Sequence, residues 1–136
     1  MKLDALYRAR FAYSEEYDVN APDARGVFIA EGRCEGELTG RLRGMNHPRV
    51  RSDGVYLPNF QGVIETDDSA RIVFDLRGYG AEREDGRFAV HGSITHSTAD
   101  ERYARLNDIV CVFAAEAFES EVVFEVAGLV WEPPAP

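Results

Sequence analysis

The sequence predicts an all-β fold: one domain over residues 1–136, built as an antiparallel up-and-down β-barrel of about eight strands. Three observations predict it. Apolar residues recur with period two along most of the chain, turn residues interrupt it at hairpin spacing, and no stretch sustains the ~3.6-residue apolar period of a helix.

The elements follow in order. From Leu3 to Tyr13 one side carries Leu3, Ala5, Tyr7, Ala9, Phe11 and Tyr13, which describes a half-buried strand. Residues 14–24 are polar and contain Asn20 and Pro22, so a loop is expected there. A second strand runs from Val27 towards Glu35, with Gly36 marking a turn. A third alternates Leu38, Gly40, Leu42 and Gly44 against Glu37, Thr39, Arg41 and Arg43. Asn46-His47-Pro48 breaks it, and Asp53-Gly54 signals a turn. Val55–Thr66 reads as a strand in which Pro58 and Gly62 suggest an edge or a bulge. After the Asp67-Asp68-Ser69 turn, a strand over Ala70–Tyr79 puts Ile72, Phe74 and Leu76 on one face. Phe88, Val90, Gly92 and Ile94 form a face of the next strand. Residues 97–105 suit a short helical turn, and Ile109–Phe118 and Val122–Trp131 are two apolar strands that read as buried on both sides. A barrel is preferred to a sandwich because closure removes exposed edges.

Composition excludes several functions. The chain has 136 residues and a net charge of −9, so binding to nucleic acid or an anionic membrane is not expected. After Arg105 no Lys or Arg follows, whereas six carboxylates do, which reads as a solvated acidic face. The only lysine, Lys2, is terminal, so Schiff-base chemistry has no buried amine. Cys34 and Cys111 belong to no CxxC or Cys/His cluster and read as reduced thiols. No signal-like apolar stretch follows Met1, so a cytoplasmic protein is expected. His91 and His96 are five residues apart on one strand and so face opposite ways; neither a metal nor a cofactor is expected.

Polar groups set in apolar strands supply the candidate chemistry. Arg51 and Asp53 project to one side of an extended segment. They form either a ligand-orienting cluster at a barrel mouth or a salt bridge that fixes a turn. Tyr103 and Asn107, at the entrance to a buried strand, serve either a ligand or a helical cap. Glu116 and Glu125 lie in strands apolar on both faces, so parity leaves open whether either points inward as a base.

Several of these segments resemble the DUF3237 (UPF0311) family. The likeness is carried by Arg51-Ser52-Asp53-Gly54, Pro58-Asn59-Phe60-Gln61-Gly62, Glu65-Thr66-Asp67-Asp68-Ser69-Ala70, Gly78-Tyr79-Gly80, Tyr103–Asp108 and Leu129–Pro133. Ser69 stands where a glycine is usual, and Arg105 where a tryptophan is common. The resemblance implies a calycin-like, allene-oxide-cyclase-like barrel, and among fungal relatives cofactor-free cyclases. Residues and resemblance together leave three functions open. One is a cofactor-independent cyclase or isomerase of an apolar oxygenated metabolite. It would use Arg51, Tyr79, Tyr103 and Asn107 to bind the ligand and Asp53 or Glu116 to move a proton. Another is a carrier or sensor of a small hydrophobic ligand. The last is a filled barrel used for dimerisation; a homodimer is expected. The hollow readings place the mouth where residues 49–54, 78–80 and 103–108 converge.

Overall fold

A computed structural model describes all of residues 1–136. The strands in chain order are β1 (Lys2–Ala21), β2 (Ala24–Gly36), β3 (Gly40–Asn46), β4 (Arg49–Val50), β5 (Tyr56–Leu57), β6 (Asn59–Thr66), β7 (Arg71–Glu82), β8 (Phe88–Ser97), β9 (Cys111–Phe118) and β10 (Glu121–Val130). A 3₁₀ helix, Glu101–Asp108, joins β8 to β9.

Eight strands close a ring in the order β1-β2-β3-β6-β7-β8-β9-β10, with β10 returning to β1 and every pairing antiparallel. The up-and-down barrel expected from the period-two pattern is therefore the architecture. The ring has no open edge. Free edges remain on β4 and on the far half of the β1–β2 hairpin, beyond the last β1–β10 pair at Ala12 and Glu121.

Alternation decides what fills the ring. Inward positions carry Ala30, Leu42, Ile64, Ile72 and Ile94, all 0% exposed. Around the middle, Phe11, Phe60, Phe74, Phe113 and Phe124 meet edge to face, with ring centroids 5.2–6.4 Å apart, the geometry that aromatic quadrupoles favour. Gly62 is part of this packing. A Cβ there would lie 2.6 Å from Phe74 Cζ and 2.2 Å from the Arg43 carbonyl oxygen. The β3–β6–β7 register runs unbroken through it, so the expected bulge is absent and the glycine makes room for a ring. Pro58, by contrast, does interrupt pairing, between β5 and β6.

The lower end, where β2 turns into β3 and β6 into β7, is closed by the 3₁₀ helix. Asp100 caps it by accepting from Arg102 N at 3.0 Å, and Leu106 plugs the interior at 2% exposure. The Tyr103 hydroxyl donates to Asp68 on the β6–β7 turn (2.7 Å), Arg102 pairs with the same carboxylate, and Arg105 pairs with Glu37 at the β2–β3 turn. The helix thus spans the barrel from the β8–β9 side to the opposite wall.

Two expectations are corrected. Residues 14–21 continue β1 rather than forming a loop, pairing with β2 to make a ribbon that projects past the ring. Both faces of that ribbon meet water, so its sequence is polar like a loop's. The last two strands are buried only on their inner face; Glu125 is exposed, and Ala114 and Val110 look outward. Their outer apolar residues made both sides look interior.

The Asp67-Asp68-Ser69 turn carries strain. Ser69 adopts φ 73°, in the left-handed region that costs an L-residue free energy. Ser69→Gly is expected to raise the unfolding free energy by about 0.5–1 kcal/mol in urea denaturation. An unchanged midpoint would remove the strain argument.

Candidate functional site

The upper half of the barrel is hollow. A cavity of about 470 Å³ opens at the end where β1 leaves the ring and β4–β5 folds over β7. Phe11, Phe60, Phe113 and Phe124 form its floor, and Leu76, Val90, Ala115 and Val122 its apolar wall. Small side chains on β9 leave the space: Ala115 and Ala117 occupy inward positions where the lower barrel has Phe113.

One polar cluster interrupts this surface. Asn46, at the end of β3, is 2% exposed. Its Oδ1 accepts from the backbone N–H of Asn59 at 3.1 Å, which orients the amide. Its Nδ2 then donates both hydrogens, to Tyr13 Oη at 3.0 Å and Tyr56 Oη at 2.7 Å. Both phenols accept from Asn46, and Tyr56 in turn hydrogen-bonds towards Tyr13, which leaves the Tyr13 hydroxyl as the donor without a protein partner. Burial raises the pKa of each tyrosine, so both stay protonated at neutral pH. The cavity therefore presents a paired phenol cluster with one free O–H donor. Arg25 and Glu119 are the only charged residues lining it, both exposed at the rim, and neither forms an ion pair within 4.0 Å.

The residues expected from the sequence lie around this cavity rather than in it. Arg51 donates from Nε to Asp53 at 2.9 Å, and this partner holds the Asp53 carboxyl down at about 2. Asp53 also accepts from Val55 N at 3.3 Å, so the pair staples the β4–β5 turn. Arg51 Cζ lies 5.9 Å from the ring centre of Tyr79, which is on the outer face of β7 and 58% exposed. These three residues anchor the hairpin whose Val50 and Gly54 line the mouth.

The other candidates are displaced from it. Tyr103 and Asn107 belong to the helix at the closed end; Asn107 accepts from Thr98 N at 2.8 Å and donates to Thr98 O at 2.9 Å. Segments 49–54 and 78–80 therefore meet, but 103–108 lies at the opposite end of the barrel. Glu116 is on the outer wall, paired with Arg83 at 3.2 Å and Arg87 at 3.4 Å, so it has no access to the interior as a base. The inward residues on either side of it are Ala115 and Ala117.

Asn46, Tyr13, Tyr56 and Arg25 did not emerge from the sequence. Asn46 read as part of a strand-breaking tripeptide and Tyr13 as one of an apolar stripe, while Arg25 lay between the 14–24 loop and the strand starting at Val27 and drew no reading. They come from β3, β1, β5 and β2, and no spacing links them.

Solved structures of other proteins share this barrel. No protein-family model and no curated protein matches the chain. A β-barrel-like protein from Acinetobacter baumannii AYE is similar at 20% identity, covering 93% of this chain and 94% of its own, with a TM-score of 0.79. A protein with unknown function from Clostridium acetobutylicum ATCC 824 is similar at 15% identity, covering 96% and 100%, with a TM-score of 0.83. An enzyme from Penicillium herquei is similar at 17% identity over 93% of each chain, with a TM-score of 0.63. At these identities the likeness shows the fold. No helix is long and apolar enough to cross a membrane.

Proposed function

We propose that this barrel binds an apolar, oxygen-bearing small molecule in its upper half. The observation that carries the reading is an open, mostly apolar cavity of about 470 Å³ containing one buried amide–phenol cluster with a spare hydroxyl donor. That combination of apolar lining and a few placed polar groups is the usual composition of a ligand site. A barrel filled by its own side chains, used only for dimerisation, would have no such space. Membership of DUF3237 is part of the proposal, supported by the turn motifs and the shared barrel form.

The test is titration with the neutral fluorophore N-phenyl-1-naphthylamine. Native protein is expected to enhance its emission saturably. Ala115→Phe, which puts a ring into the cavity wall, is expected to weaken binding at least about tenfold while leaving the unfolding transition cooperative. Equal binding by both proteins would place the probe elsewhere and sink the reading.

A second reading, a cofactor-independent isomerase or cyclase, draws on the same phenols. The free phenol O–H, itself backed by the second phenol, would donate to a ligand carbonyl and stabilise the enolate that forms when a neighbouring proton leaves. Glu119, the one carboxylate lining the cavity, would be the base in place of Asp53 or Glu116. That a neighbour from Penicillium herquei is described as an enzyme supports this second reading by fold analogy alone.

A further inference from the structure

We propose that the ligand is an apolar carboxylic acid, its carboxylate held at the mouth by the Tyr13 hydroxyl of the Tyr13–Tyr56 pair and by Arg25, and its tail directed at the phenylalanine floor. The inference rests on the small-molecule reading above and names the class of ligand. It begins from a count of donors and acceptors. Both amide hydrogens of Asn46 are spent on the phenol oxygens, and its Oδ1 is spent on Asn59 N. With Tyr56 directed at Tyr13, what the Asn46–Tyr13–Tyr56 cluster still offers is the Tyr13 O–H donor, and Arg25 adds only N–H donors. An ionised carboxylate is acceptor-only, with two oxygens for these donors.

Charge selects an ionised group over a neutral ketone. The chain has fourteen arginines, and eleven of them pair with a carboxylate: Arg10, Arg33, Arg41, Arg43, Arg51, Arg71, Arg77, Arg83, Arg87, Arg102 and Arg105. Arg25 is not among them despite a surplus of acidic groups, and it is the only cation lining the cavity. Burial dominates at Tyr56 and keeps its phenol protonated, and the Arg25 charge is near enough to act against that burial. Arg25 is held in place through its backbone, whose N–H donates to the Pro48 carbonyl at 3.2 Å. Glu119, the opposing charge, sits on the β9–β10 turn, whereas Arg25 and Asn46 come from β2 and β3. A tail entering from there meets Phe11 and Phe60, then Phe113 and Phe124.

The experiment displaces bound N-phenyl-1-naphthylamine with matched pairs at pH 7: decanoic acid against 1-decanol, and 2-naphthoic acid against 2-naphthalenemethanol. At least one acid is expected to bind about tenfold or more tightly than its alcohol. Arg25→Met keeps the apolar stem and is expected to weaken that acid about fivefold or more with the alcohol unchanged. Tyr13→Phe combined with Tyr56→Phe is expected to erase the remaining preference. Thermal unfolding of each variant confirms that it is folded; Arg25→Met, at an exposed rim position, supplies the readout should the double variant fail to fold. Binding of the fluorophore with no preference for either acid, or a preference that Arg25→Met does not reduce, would overturn the acid assignment and leave the binding reading standing. Failure of the fluorophore itself to bind would overturn both.

Discussion

Asn46→Leu is expected to lower the unfolding free energy by about 3 kcal/mol, seen as a lower urea midpoint with an unchanged slope. The residue is 2% exposed and makes three hydrogen bonds, to Asn59 N, Tyr13 and Tyr56. Leucine fills a similar volume but leaves the Asn59 N–H without an acceptor where β6 begins. An orphaned buried donor costs about 1–3 kcal/mol. The phenols lose their common donor as well and are free to turn. Asn46→Asp separates stability from binding. A carboxylate still accepts from Asn59 N, but it also accepts from the Tyr13 hydroxyl and so withdraws the donor proposed for the ligand. Loss of acid binding in Asn46→Asp, with the fluorophore still bound, is the expected result. Wild-type acid affinity in that variant would refute the donor arrangement.

Between pH 6.5 and pH 4 the protein is expected to lose about 3 kcal/mol of stability, and His96 is the cause. This histidine is 3% exposed inside the lower barrel, with Nε2 at 2.7 Å from Tyr7 Oη. Its Nδ1 has no partner. Burial depresses its pKa from 6.5 to about 4, so it is neutral in the folded chain. The unfolded chain takes up a proton below pH 6.5 and the folded chain does not until about 4. Stability tied to this group is therefore complete above pH 6.5 and falls as pH drops through the interval. Asp53, held at about 2, adds its own loss only at lower pH. Urea unfolding at several pH values from 7 to 4.5 should show the decline, and His96→Gln should flatten it. A wild-type slope retained in His96→Gln would assign the effect elsewhere.

The two halves of the molecule differed in how far they could be read from sequence. His91 and His96 fell on opposite faces as their odd spacing requires: His91 is exposed and His96 is inside. The same counting placed Phe74 and Ile94 in the core and the Asp53-Gly54 and Asp67-Asp68 segments at turns. It could not place Glu116, because alternation fixes only relative facing, and here both faces carried apolar residues. Nor could it separate Arg51 and Asp53 as a turn staple from Arg51 and Asp53 as a ligand cluster. That depends on which side of the hairpin faces the mouth.

Period-two patterning and turn residues by themselves determined an antiparallel all-β chain and most of its strands, because side-chain alternation and tight turns are local consequences of backbone geometry. Closure, and with it the site, was decided only in three dimensions. Which end the 101–108 helix seals depends on Arg105 reaching Glu37 and Tyr103 reaching Asp68, contacts between residues far apart in the chain. The hollow end depends on Ala115 and Ala117 facing Tyr13 and Asn46 across the ring. A cavity is space left between strands, and a pattern read along one strand carries no record of it.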